Sequence, residues 1–312
     1  MNVFRTIQSY REWRKNLPVE LVAPFVPTMG ALHDGHASLV RQARSLADAA
    51  PAPGKAVIAS IFVNPTQFGP QEDFAKYPRT LDSDLALLAT AGCDAVFVPA
   101  ATEMYPPVQN IPPDAARDNA PNAASQNALM TTIDPGPMAD LLEGAPVGGR
   151  PGHFRGVCTV VAKLLLITQP THLLLGQKDF QQQAILRRMC ADLNFPLDVV
   201  TCPTLREADG LAMSSRNRYL SPEERSRAPA IHEALMRAKD LHDRGERSAA
   251  ALDAIMQEHL SRRGFVVQYA LVAHAQTLIP FHQAPSQTVT APAVLLIAAR
   301  LGATRLIDNL LL

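Results

Sequence analysis

Pro27-Thr28-Met29-Gly30-Ala31-Leu32-His33-Asp34-Gly35-His36 is the stretch on which the fold reading turns. Before it, residues 21–27 form a short apolar run that reads as a strand entering a glycine turn. After it, residues 32–50 carry a helical period, with Leu39, Ala43 and Leu46 along one side. A second apolar strand follows at 56–63, a helix at 80–91 with Leu81, Leu85 and Leu88 on one face, and a strand at 95–98. The order strand, helix, strand, helix, strand favours parallel strands joined by crossover helices. The expected fold class is therefore α/β, a Rossmann-like doubly wound parallel sheet. In such a sheet the quoted segment lies at a carboxyl strand end, where ligands bind.

Further along, residues 4–17 have a weak helical period. A helix is expected at 158–168, a strand at 172–175, a helix at 180–193 and a strand at 197–202. The texture changes near residue 204. Ser221-Pro222-Glu223-Glu224 is a helix start, with Ser as N-cap and Glu three residues on. Helices at about 222–243 and 248–262 precede strands at 265–273, 293–299 and 304–308. The expected division is a doubly wound domain over 1–204 and a smaller α+β domain over 205–312.

Composition narrows the function classes. The 312 residues carry 29 Lys+Arg and 29 Asp+Glu, so no basic surplus marks a dedicated nucleic-acid or acidic-membrane binder. No secretory h-region and no long apolar run is expected to place the chain in or across a membrane. Cys93, Cys158, Cys190 and Cys202 form no CxxC pair and read as buried free thiols of a reducing cytoplasm. Nine of the 26 prolines fall within residues 101–151. They mark a Pro-rich insertion at about 106–137, read as a long or partly disordered excursion.

Six segments carry chemistry. His33 and His36, three apart at a helix start, suit a phosphate; a zinc pair and structural turn histidines are the alternatives. Asn64 and Gln67 follow the second strand and suit hydroxyl and carboxylate groups, or simply cap a loop. Glu72, Asp73, Asp82 and Asp84 can meet Mg²⁺ near a phosphate, or complement a helix dipole. Arg150, His153 and Arg155 lie among glycines that let a ligand approach backbone. Gly176, Lys178 and Asp179 follow a strand, with Lys178 suited to phosphate and Asp179 to a ribose hydroxyl or to capping. Met213-Ser214-Ser215-Arg216-Asn217 suits a mobile phosphate clamp.

Taken together and in this order, PTMGALHDGH, SIFVNPTQF, YPRT, RPGHFRGV, KDFQQ and DGLAMSSRNRYL resemble the signatures of the pantothenate synthetase (pantoate–β-alanine ligase) family. The closing Arg305-Leu306-Ile307-Asp308-Asn309 is similar as well. That family falls in the nucleotidyltransferase superfamily with class I aminoacyl-tRNA synthetases, whose HIGH-type histidine pair HDGH resembles. The resemblance implies a cytoplasmic homodimer that uses ATP with Mg²⁺ to join pantoate to β-alanine through a pantoyl adenylate, releasing pyrophosphate and AMP. It implies His36, His33, Lys178 and Arg216 as catalytic, with His36 near the α-phosphate as proton donor or phosphate stabiliser. It implies ATP contacts from Met29, Gly30, His33, His36, Gly176, Lys178, Asp179, Met213, Ser214, Ser215 and Arg216. Pantoate contacts fall to Gln67, Gln182, Asn64, Arg150 and His153, and Asp84 joins the Mg²⁺ environment.

The chain departs from the family pattern in four places. Gln177 stands where the pattern has Glu. Ser83 stands where a second acid beside Asp84 would be. Pro146-Val147-Gly148-Gly149 lengthens the approach to RPGHF, and the 106–137 region is expanded. Competing readings are an adenylyltransferase acting on another acid, a non-catalytic nucleotide-binding protein, and a metallohydrolase.

Overall fold

The computed structural model describes residues 1–69, 74–106, 131–145, 149–284, 286–290 and 292–312. Glu72, Asp73, residues 107–130 of the Pro-rich insertion and residues 146–148 lie outside the described residues. The chain forms two compact units, each built from segments that are not contiguous in sequence. The first comprises Met1–Asp140, Gly144–Leu175 and Ile185–Cys202. The second comprises Leu141–Glu143, Gly176–Ala184 and Pro203–Leu312.

In the order of the chain, β1 (Asn2–Phe4), α1 (Ile7–Lys15), β2 (Leu21–Val22) and β3 (Pro24–Thr28) lead into α2 (Asp34–Ala49). Then come β4 (Gly54–Lys55), β5 (Ile58–Ile61), α3 (Leu81–Thr90), β6 (Ala95–Phe97) and the short α4 (Ala101–Met104). After these follow α5 (His153–Thr168), β7 (His172–Gly176), α6 (Phe180–Asp192) and β8 (Asp198–Cys202). The central sheet has the order β1-β6-β5-β3-β7-β8, and each pairing from β1 to β7 is parallel. Strand order therefore runs outward from β3 through β5 to β6, then returns to the other side of β3 at β7. That reversal is the switch point of a doubly wound sheet, where ligands bind beyond the carboxyl ends.

Alternation along the strands builds both faces of the sheet. Phe25, Ile58, Phe97, Leu173 and Leu175 point into one apolar layer with Tyr10, Val157 and Ile185. Their neighbours Val26, Ala59, Val96 and Leu174 point into the opposite layer with Val40, Ala43 and Leu88. This is the period of two expected for strands buried on both faces.

Several boundaries differ from the sequence expectation. The N-terminal segment opens with β1, a three-residue edge strand too short to alternate visibly, and Thr6 caps α1 by accepting from the Ser9 N–H at 3.2 Å. The run at 21–27 is two strands; β2 pairs with β4, and Pro24, which has no N–H to donate, opens β3. Helix α5 starts five residues before the expected 158, because Gly152 takes a left-handed conformation (φ 79°) and begins the helix there. The helix expected at 222–243 is split into α7 (Pro222–Arg227) and α8 (Ala230–Asp243), with Pro229 at the break.

In the second unit, α8 and α9 (Ala249–Arg262) supply Ile231, Leu235, Leu252 and Met256 to a core shared with an antiparallel sheet. Its strands are β9 (Val266–His274), β10 (Ala293–Leu301) and β11 (Thr304–Leu311), in the order β11-β10-β9. The smaller α+β element pattern read from the tail of the sequence is present here. All four cysteines are buried and free, and burial pushes the Cys93 and Cys158 thiols up to about 12.

One close approach decides how α5 meets the strand ends. A Cβ built on Gly156 would lie 2.3 Å from the Thr66 carbonyl oxygen, and the Gly156 carbonyl accepts from Asn64 Nδ2 at 3.2 Å. Helix propensity alone would make Gly156→Ala stabilising by about 1 kcal/mol. The backbone contact reverses the sign: the variant is expected to lower Tm by about 5 °C or more. A melting curve equal to or above wild type would contradict this packing.

Candidate active site

The loop after β3 is organised by one buried carboxylate. Asp84, on the first turn of α3, is 2% exposed. Its Oδ2 accepts the Ala31 N–H at 3.0 Å, and its Oδ1 accepts the Leu32 N–H at 2.8 Å and the Thr80 hydroxyl at 3.1 Å. Gly30 and Ala31 both have positive φ, 85° and 51°. A Cβ on Gly30 would stand 3.0 Å from Asp84 Oδ2, so the turn requires glycine there. The left-handed Ala31 is a strained position, held by the hydrogen bond to Asp84.

That turn delivers His33 as the N-cap of α2. His33 Nδ1 accepts the Gly35 N–H at 3.1 Å, and His36 Nδ1 accepts the His33 N–H at 3.3 Å, forming a reciprocal capping box. A ring nitrogen that accepts from a backbone N–H carries no proton, so both imidazoles hold theirs on Nε2. The rings lie 4.2 Å apart, centroid to centroid. Two Nε2–H donors thus stand at the positive end of a 16-residue helix, an arrangement suited to an anion.

Beside this loop, Asn64 follows β5 and is 1% exposed. Its Oδ1 accepts from the Thr66 N–H, the Thr66 hydroxyl and the Tyr105 hydroxyl, while its Nδ2 donates to Gln67 Oε1 and the Gly156 carbonyl. Burial pushes the Tyr105 phenol up to about 12, which keeps it a donor. Both donor hydrogens of the Asn64 amide are committed to this framework. Gln67 Nε2 donates to Met29 Sδ at 2.9 Å, linking the two strand-end loops. His153, on the first turn of α5, donates from Nδ1 to the Gln67 carbonyl at 2.8 Å, since a carbonyl only accepts. Its Nε2 then accepts from Arg150 Nη1 at 3.0 Å. Met29, Gly30, His33, His36, Asn64, Gln67, Arg150 and His153 are thereby joined within the first unit.

The second unit brings together the other residues. Gly176 leads into a 3-10 turn, Gln177–Asp179. Asn309 of β11 holds that turn, donating to the Gln177 and Lys178 carbonyls at 2.9 Å each and accepting from Gln177 Nε2 at 3.3 Å. Gln177, in place of a carboxylate, thus pairs amide to amide without adding charge beside Lys178. Lys178 lines a pocket with Ser214, Arg216, Asn217 and Arg305. Ser214 caps the 3-10 turn Ser215–Tyr219 by accepting the Arg216 N–H at 3.3 Å. Ser215 opens that turn, Met213 precedes it half-buried, and Arg216 is exposed. The base of this loop is fixed by a fork from Arg206 to the buried Asp308, at 2.6 and 2.9 Å. Lys178 Nζ lies 3.3 Å from Asp179 Oδ1, and Gln182 is half-buried on α6 with no side-chain hydrogen bond among the described residues.

Asp84 is engaged by its own loop. Both of its oxygens accept hydrogen bonds from donors that hold the loop, and Ser83 bonds the Thr80 carbonyl. Among the described residues no group of three His, Cys, Asp or Glu is placed to hold a metal ion. Asp82 sits in the first turn of α3, as a helix-dipole partner would. Glu143, Tyr269 and the pocket position of Arg305 were not evident from sequence. Glu143 is an isolated acid beside the Pro-rich stretch, and only Arg305, within a segment already singled out, offered a signal.

Comparison with known proteins places residues 2–311 under a family model described as pantoate-beta-alanine ligase. The pantothenate synthetase of Alcanivorax borkumensis is 48% identical over 286 residues, 92% of this chain and 88% of the relative. That of Moorella thermoacetica is 43% identical over 318 residues, 100% of this chain and 99% of the relative. A crystal structure of the Thermus thermophilus enzyme aligns with a TM-score of 0.82 at 41% identity, covering 99% of each chain. A Francisella tularensis pantoate-beta-alanine ligase, solved in complex with beta-gamma ATP and beta-alanine, aligns at 0.71 and 32% identity, covering 100% of this chain and 97% of that one.

If Asp84 holds the turn, Asp84→Asn removes the charge and sets an NH₂ donor against a backbone N–H. Hydrogen bonds to a charged group contribute about 1.5–3 kcal/mol, so the Ala31 and Leu32 amides are expected to exchange roughly 10–100 times faster. Unchanged protection in hydrogen-exchange spectra would contradict that role.

Proposed function

This chain belongs to the pantoate-beta-alanine ligase family, and from that premise we propose how its residues divide the work. It is an ATP-dependent ligase that condenses pantoate with β-alanine. Pantoate and ATP give pantoyl adenylate and pyrophosphate; the β-alanine amine then displaces AMP. In the first step a pantoate carboxylate oxygen attacks the α-phosphorus in line and pyrophosphate leaves. No covalent enzyme intermediate is needed, so catalysis is positioning plus stabilisation of charge on phosphate oxygens.

The observation that carries the assignment is the paired Nδ1 acceptors of His33 and His36. Their protonated Nε2 atoms stand at the N-terminus of α2, and we assign these to the triphosphate, with His36 at the α-phosphate. A cap that needs Nδ1 bare does not favour His36 as the proton donor, so stabilising phosphate charge is the role proposed. Met29 and Gly30 give the nucleotide close access to backbone. Lys178, Ser214, Ser215 and Arg216 are assigned to the leaving pyrophosphate, with Gly176 and Met213 flanking them and Asp179 on the ribose. The shared lining of Lys178, Ser214 and Arg216 supports this grouping.

Gln67 and Gln182 are assigned to pantoate. Asn64, Arg150 and His153 act through them: Asn64 holds the Gln67 side chain, and His153, braced by Arg150, holds its carbonyl. Mg²⁺ is assigned to the nucleotide's own phosphates, with Asp84 acting on the loop. Homodimeric assembly is proposed from the family resemblance. A reducing, cytoplasmic setting is supported by the four buried free thiols.

Removing a donor that stabilises developing charge costs roughly 10²–10³ in turnover. His36→Ala and Lys178→Ala are each expected to lower kcat by that factor, measured as AMP release with pantoate, β-alanine and ATP. Near-normal kcat in either variant would remove that residue from the assigned site.

A further inference from the structure

Leu141–Glu143 is a three-residue strap that belongs to the second unit although the residues on either side of it belong to the first. Two groups from motifs left without a role fasten it. Gln181 pairs with its backbone like one rung of a sheet: Oε1 accepts the Glu143 N–H at 2.9 Å, and Nε2 donates to the Leu141 carbonyl at 2.8 Å. Arg305 meets its only carboxylate, Glu143, as an end-on fork, Nη1 to Oε2 at 2.6 Å and Nη2 to Oε1 at 2.5 Å. The Tyr269 hydroxyl donates to Oε1 at 2.5 Å, and Arg305 Nε donates to Gln268 Oε1 at 2.6 Å. Both members of the ion pair are shielded, with side chains 19% and 14% exposed.

Arg305 also lines the pocket with Lys178, Ser214 and Arg216. Without Glu143 the Arg305 guanidinium would add an uncompensated cation to that wall. A neutralised Arg305 still offers two of its five N–H groups, but not a net charge. A pocket that must release a polyanionic product at each turnover is hindered by excess positive charge. We propose that Glu143 is a positioning residue that sets the charge of this pocket, holding Arg305 in place while cancelling its cation so that pyrophosphate can leave. Burial and the Glu143 carboxylate hold the Tyr269 phenol well above its usual range, so it remains a donor to Glu143 across the working pH range. The proposal rests on assigning pyrophosphate to Lys178, Ser214 and Arg216.

The sign of the effect separates this role from a merely structural one. Loosening the strap would weaken every ligand, whereas uncovering Arg305 tightens an anion. In the full-length enzyme, inhibition by added inorganic pyrophosphate is measured against ATP. Glu143→Gln is expected to lower the inhibition constant roughly 3- to 10-fold, and Arg305→Gln to raise it by a similar factor. The double variant, in which the 143/305 pair again adds no net charge to this wall, is expected to return near wild type. Glu143→Asp, which keeps the charge, is expected to stay within about 2-fold of wild type whatever its Tm. If Glu143→Gln does not fold, the double variant against Arg305→Gln alone reads the same quantity: removing the carboxylate must recover pyrophosphate binding. Weaker or unchanged inhibition on losing Glu143 overturns the proposal. Lys178→Ala, run in parallel, tests the site itself. If it leaves pyrophosphate inhibition unchanged, the pocket assignment fails; if it weakens inhibition while Glu143→Gln has no effect, only the role of Glu143 fails.

Discussion

The Asp84 carboxylate is the constraint on which the first half of the site depends. It is buried, carries both the Ala31 and Leu32 N–H groups, and so holds a turn whose two leading residues have positive φ. Unpaired backbone N–H groups in a buried turn are costly, and a strained Ala31 persists only where its surroundings over-determine it. Because that turn is held, α2 starts at Asp34 and His33 becomes its cap. Because His33 and His36 cap with Nδ1, their protons face away from the helix. A carboxylate in α3 thus sets the protonated edge of two imidazoles it does not touch.

In the second unit the constraint is the pairing of buried charge. Asp308 accepts both terminal nitrogens of Arg206 and the Asn309 N–H. Breaking such a pair leaves an uncompensated buried ion and is strongly destabilising. It secures the Arg206–Ala212 bridge just before the Ser214-capped turn. Asn309, the next residue on β11, holds the Gln177–Asp179 turn through two carbonyls. One strand end therefore fixes both the loop that bears Lys178 and the base of the loop that bears Arg216. Glu143 adds control of charge to that control of position.

Much of this was legible in the sequence because local patterns recorded it. Apolar runs at 21–27 and 56–63 and the strand pattern at 172–175 marked the central strands, and glycines with polar residues at strand ends marked ligand loops. The family resemblance followed from six separated motifs, and the fold and reaction class agree with it. What was not legible depends on long-range partners. Nothing near Asp84 says that its oxygens meet N–H groups 52 and 53 residues away; acidity in a first helical turn suits a dipole, a metal or a loop equally. Asn64 reads from sequence as a ligand group or a loop cap, and nothing near it shows that Tyr105, 41 residues on, and Gly156, 92 residues on, meet its amide. Glu143 had no periodicity, and its partner Arg305 lies 162 residues away. Tertiary pairing decides such roles, and no local spacing encodes it.

The claim that most of the site chemistry rests on is the tautomer of the two capping histidines. Nitrogen NMR of the full-length protein, labelled with ¹⁵N-histidine and free of nucleotide, reads it directly. His33 and His36 are each expected to show an unprotonated Nδ1 and a protonated Nε2 at neutral pH, with His153 showing the opposite arrangement. A protonated Nδ1 on either His33 or His36 would contradict the capping box and the presentation of two Nε2–H donors to phosphate.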